Sequence, residues 1–578
     1  MKKTIKKRGQ KLIRNFSRAS FRAGKESKER IRKNFLGRLS HISNIRLLIF
    51  EWGLLVFALI MLAVTQAFWF SDSYSEDTFS SGGTYTEATI GKVNSLNPLF
   101  ATTDSEKALS RLMFATISTV DFSGHYGAGL AEAIHSSENG KVWTVKLRDD
   151  LKWSDGEPLT NEDVLFTVAL VQNSAVNSSY SSNLSGVKVS ESETGEIIFT
   201  LPTAYADFIS ALDIPVVPKH ILGDAAPKTL IEHSFSTDPV TSGAFTLNAV
   251  QSTTDENEKI IYLSRNEYYY KGDTLLNSFA VHTYSDKAKI ISALNSSAIS
   301  ATAALSGAES SQIDDTQINR KDSAINSGAF MFFNLSSETM RDKTLRAAIR
   351  QGIDLDTIRL IVGDHNALDY PLLKSQISLS EYPALPEHNF EAAQSQIASI
   401  ASDAPLCINL VTVNSGYLPV ITEAIAEDLR NLGFEVNISV YEENQDFMTN
   451  IISNRSYDIL VYEIELGADP DLLQYYHSSQ ATSAGLNLSN YKNSLADALL
   501  LSARETLDEN LRAKRYSSFL QYWVDDIPAI GLYQSNLTYY YNKNVRAFGD
   551  NVTLTKTLDR FGDIESWASV KESKNRTP

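Results

Sequence analysis

The stretch INLVTVNSGYLPVITEAIAEDLRNLGFEVNISVYEENQDFMTNIISNRSYDILVYE, residues 408–463, alternates strand and helix signatures with short connections between them. Residues 408–413 are mostly apolar and β-branched, the composition of a strand. Ile421, Ile425, Leu429 and Leu432 recur at helical spacing and make one apolar face, which Gly433 closes. Phe434, Val436, Ile438 and Val440 then alternate with polar residues as a second strand. A short helix around 447–452 leads into a buried strand at 457–462. Strand, helix, strand, helix and strand in this order predict parallel pairing with right-handed crossovers, the α/β class. Ligands of such sheets settle in the crevice beyond the carboxyl ends of the strands. Glu463, Glu465 and Asp469 follow the last strand and are the candidate ligand-binding residues on that cleft wall.

Working upstream, Trp143, Val145 and Leu147 alternate with Thr144, Lys146 and Arg148 as a half-buried strand. An Asp155-Gly156 turn follows, and Pro158 blocks further ladder pairing. Thr160 with Asp163 three residues later has capping-box spacing, and Val164, Leu165 and Val168 open an apolar helical face. Asp342 precedes a helix whose Leu345, Ala348 and Ile349 share one side and which ends near Gly352.

Charge is distributed unevenly along the 578 residues. Residues 1–46 hold 16 Lys and Arg against Glu26 and Glu29, while the whole chain carries −16, so everything after residue 46 sums to −30. An acidic body repels phosphate backbones, which excludes nucleic acid as a partner. Between the basic tail and the acidic body, residues 52–70 (WGLLVFALIMLAVTQAFWF) contain no charged side chain. A helix of that length spans roughly 28 Å, close to the thickness of a bilayer core. Trp52, Trp69 and Phe70 stand at its edges, where amphipathic rings prefer the interface. The expectation is a membrane anchor over 47–70, with the basic tail 1–46 cytoplasmic and the acidic body outside. A cleaved signal peptide is the alternative, since Thr65-Gln66-Ala67 resembles a cleavage site. The long basic region and long apolar run favour a retained anchor. Residues 71–83 are polar, small and glycine-ended, the composition of a flexible stalk.

Little catalytic chemistry is legible. The sequence has no HExxH, no GxSxG and no GxxxxGK[ST], so zinc hydrolysis, a nucleophile elbow and a phosphate loop find no support. Gly127 and Gly129 lack the third glycine of a dinucleotide site. Cys407 is the single cysteine, which rules out a disulfide framework, and at a strand start it is expected to be a small buried hydrophobe. No cysteine follows the apolar run to carry a lipid. The reading is a non-enzyme with no cofactor and no metal.

Several segments in one order resemble the family 5 extracellular solute-binding proteins. They begin with Gly91 and Ser95-Leu96-Asn97-Pro98-Leu99, then Leu130-Ala131-Glu132. The most specific is the run from Lys146 through Trp153-Ser154-Asp155-Gly156-Glu157-Pro158-Leu159-Thr160 to Val164. Pro218-Lys219-His220, Ser242-Gly243-Ala244-Phe245 and Arg265-Asn266 with Tyr269 follow. Leu345-Arg346-Ala347-Ala348-Ile349 and Asp469-Pro470-Asp471 complete the set, which covers roughly residues 85–565. Most of these residues are turns, caps and core positions, so they speak for fold more than for ligand. The resemblance implies a two-lobed periplasmic-binding-protein-like ectodomain of type II, the large peptide-binder class. It implies a first lobe at 84–325 with a subdomain inserted at about 110–218, a second lobe at 326–534, and a return with a C-terminal tail at 535–578. It further implies capture of a peptide or small solute by lobe closure, with an ABC permease and ATPase as partners. The family's peptide binders carry an Asp four residues before the Pro of the last motif, where it pairs with the peptide ammonium. Leu466 stands there, so metal–chelate, sugar and other ligands stay open beside peptides. An anchored sensing module not coupled to import, and an extracytoplasmic hydrolase, are the alternative functions.

Overall fold

The computed structural model describes residues 46–575 apart from 122, 254, 256–257, 364–365, 401–405 and 551. It divides into two compact units, of which the larger is Phe79–Lys571. The smaller unit contributes one helix, Arg46–Tyr74, of 29 residues. A strand, Ser75–Ser80, follows it, within the 71–83 stretch whose composition predicted a flexible stalk. Among the described residues no helix is long and apolar enough to cross a membrane; the described side chains of this helix, 50–66, cover only part of the expected span over 47–70. The basic tail 1–45 lies outside the described residues.

The larger unit is built on a mixed sheet, ten-stranded among the described residues. In chain order its strands are β1 (Thr84–Ile90), β2 (Phe245–Ser252), β3 (Lys259–Arg265), β4 (Ser278–Tyr284) and β5 (Ala301–Thr302). They continue as β6 (Ile318–Phe333), β7 (Cys407–Val413), β8 (Glu435–Tyr441), β9 (Ile459–Glu465) and β10 (Ala529–Asn542). Their spatial order is β8-β7-β9-β6-β10-β5-β1-β4-β3-β2. As the sequence predicted, β7 lies parallel to β8 on one side and to β9 on the other. The crossover helix Leu418–Asn431 buries Leu418, Ile421, Ile425 and Leu429, its apolar stripe, against that sheet. Apolar stripes of this kind supply most of the stability of such helices.

Two large hydrophobic cores form on this sheet, beside a smaller cluster around Ala88, Ile290 and Tyr540. One gathers residues between Ala329 and Tyr533, the other residues from Tyr85 to Ile325 together with Leu537 to Trp567. Strands β6 and β10 run through both. Their antiparallel register slips between Ala324 and Gly328, and the bulged residues bond elsewhere. Asn326 N–H donates to the Thr555 carbonyl at 2.9 Å, and its carbonyl accepts from Leu466 N–H at 2.7 Å. A bulge of this kind bends a strand and re-aims its side chains. The Trp143 strand joins a separate antiparallel sheet within the second core, and Asn161–Gln172 packs as the helix beside it. Its Thr160–Asp163 capping box is present, and Asp163 also accepts from Lys219 N–H at 2.8 Å. The run ending at Val164 and the Pro218-Lys219-His220 turn are thus locked to one another.

Two local expectations are corrected. Cys407 is exposed, because β7 begins with an exposed-buried alternation that places Ile408 and Leu410 inside. The last strand of the quoted stretch does not stop at Tyr462. Its pairing with β6 continues through Glu463↔Ala329 and Glu465↔Ser327, so both glutamates sit in the strand rather than beyond it.

Candidate functional site

The carboxyl ends of β7, β8 and β9 converge where β6 bulges, and a cavity of about 560 Å³ opens there. That size is typical of small-molecule and cofactor sites. Val413, Ser415 and Glu443 come from the strand ends, Tyr462, Glu463 and Glu465 from β9, and Ile325 and Ser327 from the bulge. Asp104, Lys556 and Thr557 line the opposite wall, from the side of the second core. A smaller recess of about 110 Å³ shares Asp104, Glu465, Lys556 and Thr557 and adds Lys107 and Arg560.

Each charged group is held by identifiable contacts. Asp104 opens the helix Asp104–Met113, which a Thr103–Glu106 capping box starts. Glu443 accepts from the Tyr462 hydroxyl. Glu463 is half-buried among Ala329, Tyr533 and Ser535, and burial pushes its carboxyl up to about 7 against the pull of the Ser535 hydroxyl. The neighbouring Glu443 and Glu465 add to that lift. Lys556 donates to Asp213 at 2.6 Å, and the same Asp213 accepts from Arg111 at 2.7 Å. Burial works against the Lys556 ammonium, but Asp213 overrides it and holds the pKa well above the ordinary lysine value. Four carboxylates therefore face one ammonium in the main cavity. Such a surface favours a cationic group on a ligand.

The residues singled out from sequence are not all in one place. Glu463 and Glu465 line the cavity. Leu466 is buried in the first core, where its carbonyl accepts from Gln376 Nε2 at 2.8 Å. Asp469 is not a lining residue, and pairs with Arg512 at 2.6 Å. Burial, with Asp471 and Glu509 nearby, lifts its carboxyl to about 6 against that arginine. Sequence reasoning missed Asp104, Ser327, Glu443, Tyr462 and Lys556. The Thr103–Glu106 capping spacing marks the helix that presents Asp104, whereas no local pattern marks Lys556. No cluster of His, Cys, Asp and Glu suited to a metal ion occurs among the described residues.

This fold, with two cores joined by a pair of bulged strands and a cavity between them, defines a two-lobed binding protein. Its sequence matches the profile of the bacterial extracellular solute-binding proteins, family 5, over residues 125–485. The chain belongs to that family. It is 25% identical over 481 residues to the oligopeptide-binding protein AppA of Bacillus subtilis, covering 79% of this chain and 87% of that protein. Against the periplasmic oligopeptide-binding protein OppA of Salmonella typhimurium it is 24% identical over 489 residues, covering 78% and 86%. The structure of B. subtilis AppA in complex with a nonapeptide superposes with a TM-score of 0.70 at 23% identity, covering 85% of this chain and 99% of that one. NikZ from Campylobacter jejuni in complex with Ni(L-His) also gives 0.70, at 20% identity, covering 84% and 99%. These structures share the fold; at such identities the ligand is a separate question.

Proposed function

We propose that this chain is the extracytoplasmic receptor of an ABC-type importer and that it takes short peptides bearing a free ammonium group. The observation that carries the reading is the acidic cavity at the strand ends, with Glu463 and Glu465 on one wall. The similarity to oligopeptide-binding proteins over most of the chain supports it. A ligand ammonium held by Glu463 supplies the charge partner that the half-buried carboxylate lacks, a strong arrangement inside a desolvated site. The lobes are assigned to 84–325 with 535–578, carrying the insertion at about 110–218, and to 326–534. The bulge at 325–327 and its partner segment on β10 are then the hinge, and closure encloses the peptide. The protein performs no chemistry on what it binds, and a permease and an ATPase complete the importer.

Helix Arg46–Tyr74 serves as a single-pass anchor in this reading. Phe50, Trp52, Phe57 and Leu62 are all more than 60% exposed on it, and an apolar surface all round the described side chains, 50–66, suits lipid. The basic tail at 1–46 orients it with the N-terminus inside. The importer reading is tested by calorimetry of the purified full chain with tri- to pentapeptides, each with a free and an acetylated N-terminus. Free peptides should bind, and acetylation or Glu463→Gln should lose ~2–5 kcal/mol of affinity. Equal affinity for both forms would remove the ammonium from the proposal. Alkaline extraction of membranes tests the anchor, and a chain recovered wholly in the soluble fraction would refute it.

A further inference from the structure

Away from the cavity, the inserted subdomain meets the other lobe at a second place. Ala206 N–H donates to the Arg504 carbonyl at 2.8 Å. The Arg504 guanidinium lies 4.4 Å from the centre of the Tyr205 ring, and its Nε is 3.5 Å from Asp471. Gly140 sits against Leu507. Tyr205-Ala206-Asp207 thus lies on the Asp469-Pro470-Asp471 loop and on the helices that carry Arg504 and Arg512.

This seam is rich in acid. Asp207 faces Asp469, Asp471 and Arg512 across the seam and Ser210 on its own side. Asp469 in turn faces Arg512, Asp471, Glu509 and His125, and Tyr516 adjoins Asp469, Asp471 and Asp207. Four carboxylates meet two guanidiniums. One oxygen of Asp471 and Nε of Arg512 are buried with no hydrogen-bond partner among the described residues.

We propose that this seam is a closure latch, in which Arg504 clasps Tyr205 and Asp471 while the facing carboxylates of Asp207 and Asp469 share a proton as the lobes meet. The inference rests on the two-lobed closure of the proposed function. Apart, the two aspartates are solvated and titrate near ~3.9. Together, burial and then Asp469 push the Asp207 carboxyl well above the ordinary range, and Asp469 itself is lifted to about 6. Two carboxylates at one desolvated site cannot both stay ionised. A group whose pKa is raised in the closed form favours that form fully below its open-form value. The advantage disappears as pH rises through the closed-form value. Closure is therefore tightened by acid, fully so below about pH 4, and the part that Asp469 contributes is lost as pH rises through about 6. A latch outside the cavity sets how long a ligand is held without selecting which ligand enters.

The test measures closure without ligand in the full chain. A spin label on the exposed Cys407 and a second on Ser182→Cys in the inserted subdomain report the distance between the lobes. As pH falls from about 8 to about 5, the closed-to-open ratio should rise, at most ~tenfold per pH unit for one proton. Asp207→Asn should raise the ratio at the upper pH and reduce its slope, leaving the part that Asp469 contributes. Arg504→Ala should lower the ratio throughout. A native ratio that is flat or falls toward acid, or an Asp207→Asn variant that titrates like the native chain, overturns the latch and leaves the two-lobed receptor intact. One unchanging distance in all three proteins overturns both.

Discussion

Replacing Glu463 by Gln separates what the cavity does for binding from what it does to stability. The native carboxyl is lifted from ~4.3 for an ordinary glutamate to about 7 by burial and by Glu443 and Glu465. At ~1.4 kcal/mol for each tenfold, that interval amounts to about 4 kcal/mol. This is an upper bound, since the side chain is only half-buried and faces the cavity. The sign follows from the direction of the shift. A carboxyl raised in the folded chain is most compatible with folding below ~4.3, and the folded state loses ground as pH rises through about 7. Gln is neutral throughout and similar in shape. At about pH 8 the ligand-free variant should therefore be more stable than the native chain by up to about 4 kcal/mol, and at about pH 5 the difference should fall to about 1 kcal/mol. Urea unfolding at both values, with free energies from linear extrapolation, measures the two differences. An equal difference at both pH values, or a larger gain at the acid one, would refute the assignment of the burden to an ionised Glu463. The expected loss of peptide affinity in the same variant makes this a case of stability given up for function.

Three further outcomes are expected. Affinity for an ammonium-bearing peptide should rise with pH up to about 7, where Glu463 ionises, and calorimetry across that range would expose a flat profile as a failure of the idea. Arg560→Met strands Glu87, a buried acid whose other oxygen accepts from Tyr539 at 2.6 Å. It should cost ~3–5 kcal/mol in urea unfolding, with much of that recovered on adding Glu87→Gln. Gly243→Ala would put a Cβ 2.6 Å from the Met113 carbonyl carbon and 2.7 Å from the Leu112 oxygen. Since backbone must then move, a loss of ~1–3 kcal/mol is expected, and a variant of native stability would show that this turn yields freely.

The fold was readable where neighbours in the chain decide the outcome. Helix periodicity at 421–432 and the alternation at 434–440 became a parallel layer. The Asp342 cap accepts from Thr344 N–H at 2.8 Å, as its position before the helix predicted. The site was readable only in part. Glu463 and Glu465 lie at the end of the strand that reaches the crevice, but Asp469, about four residues later, pairs with Arg512 instead. Cys407 defeated the expectation of burial because composition does not tell which face of a strand its first residue takes.

What the sequence by itself determined was the set of elements and the layer they form, because caps, turns and apolar periods act over a few residues. It also carried the ordered motifs that place the chain in its family. Tertiary structure alone decided the rest. Lys556 comes to face Glu463 because β6 and β10 thread both cores and bring distant segments to one cavity. Asp207 comes to face Asp469 because the segment 205–207 packs against Arg504, hundreds of residues away in the chain. Such meetings depend on strand pairing and core burial across hundreds of residues, and no local pattern encodes them.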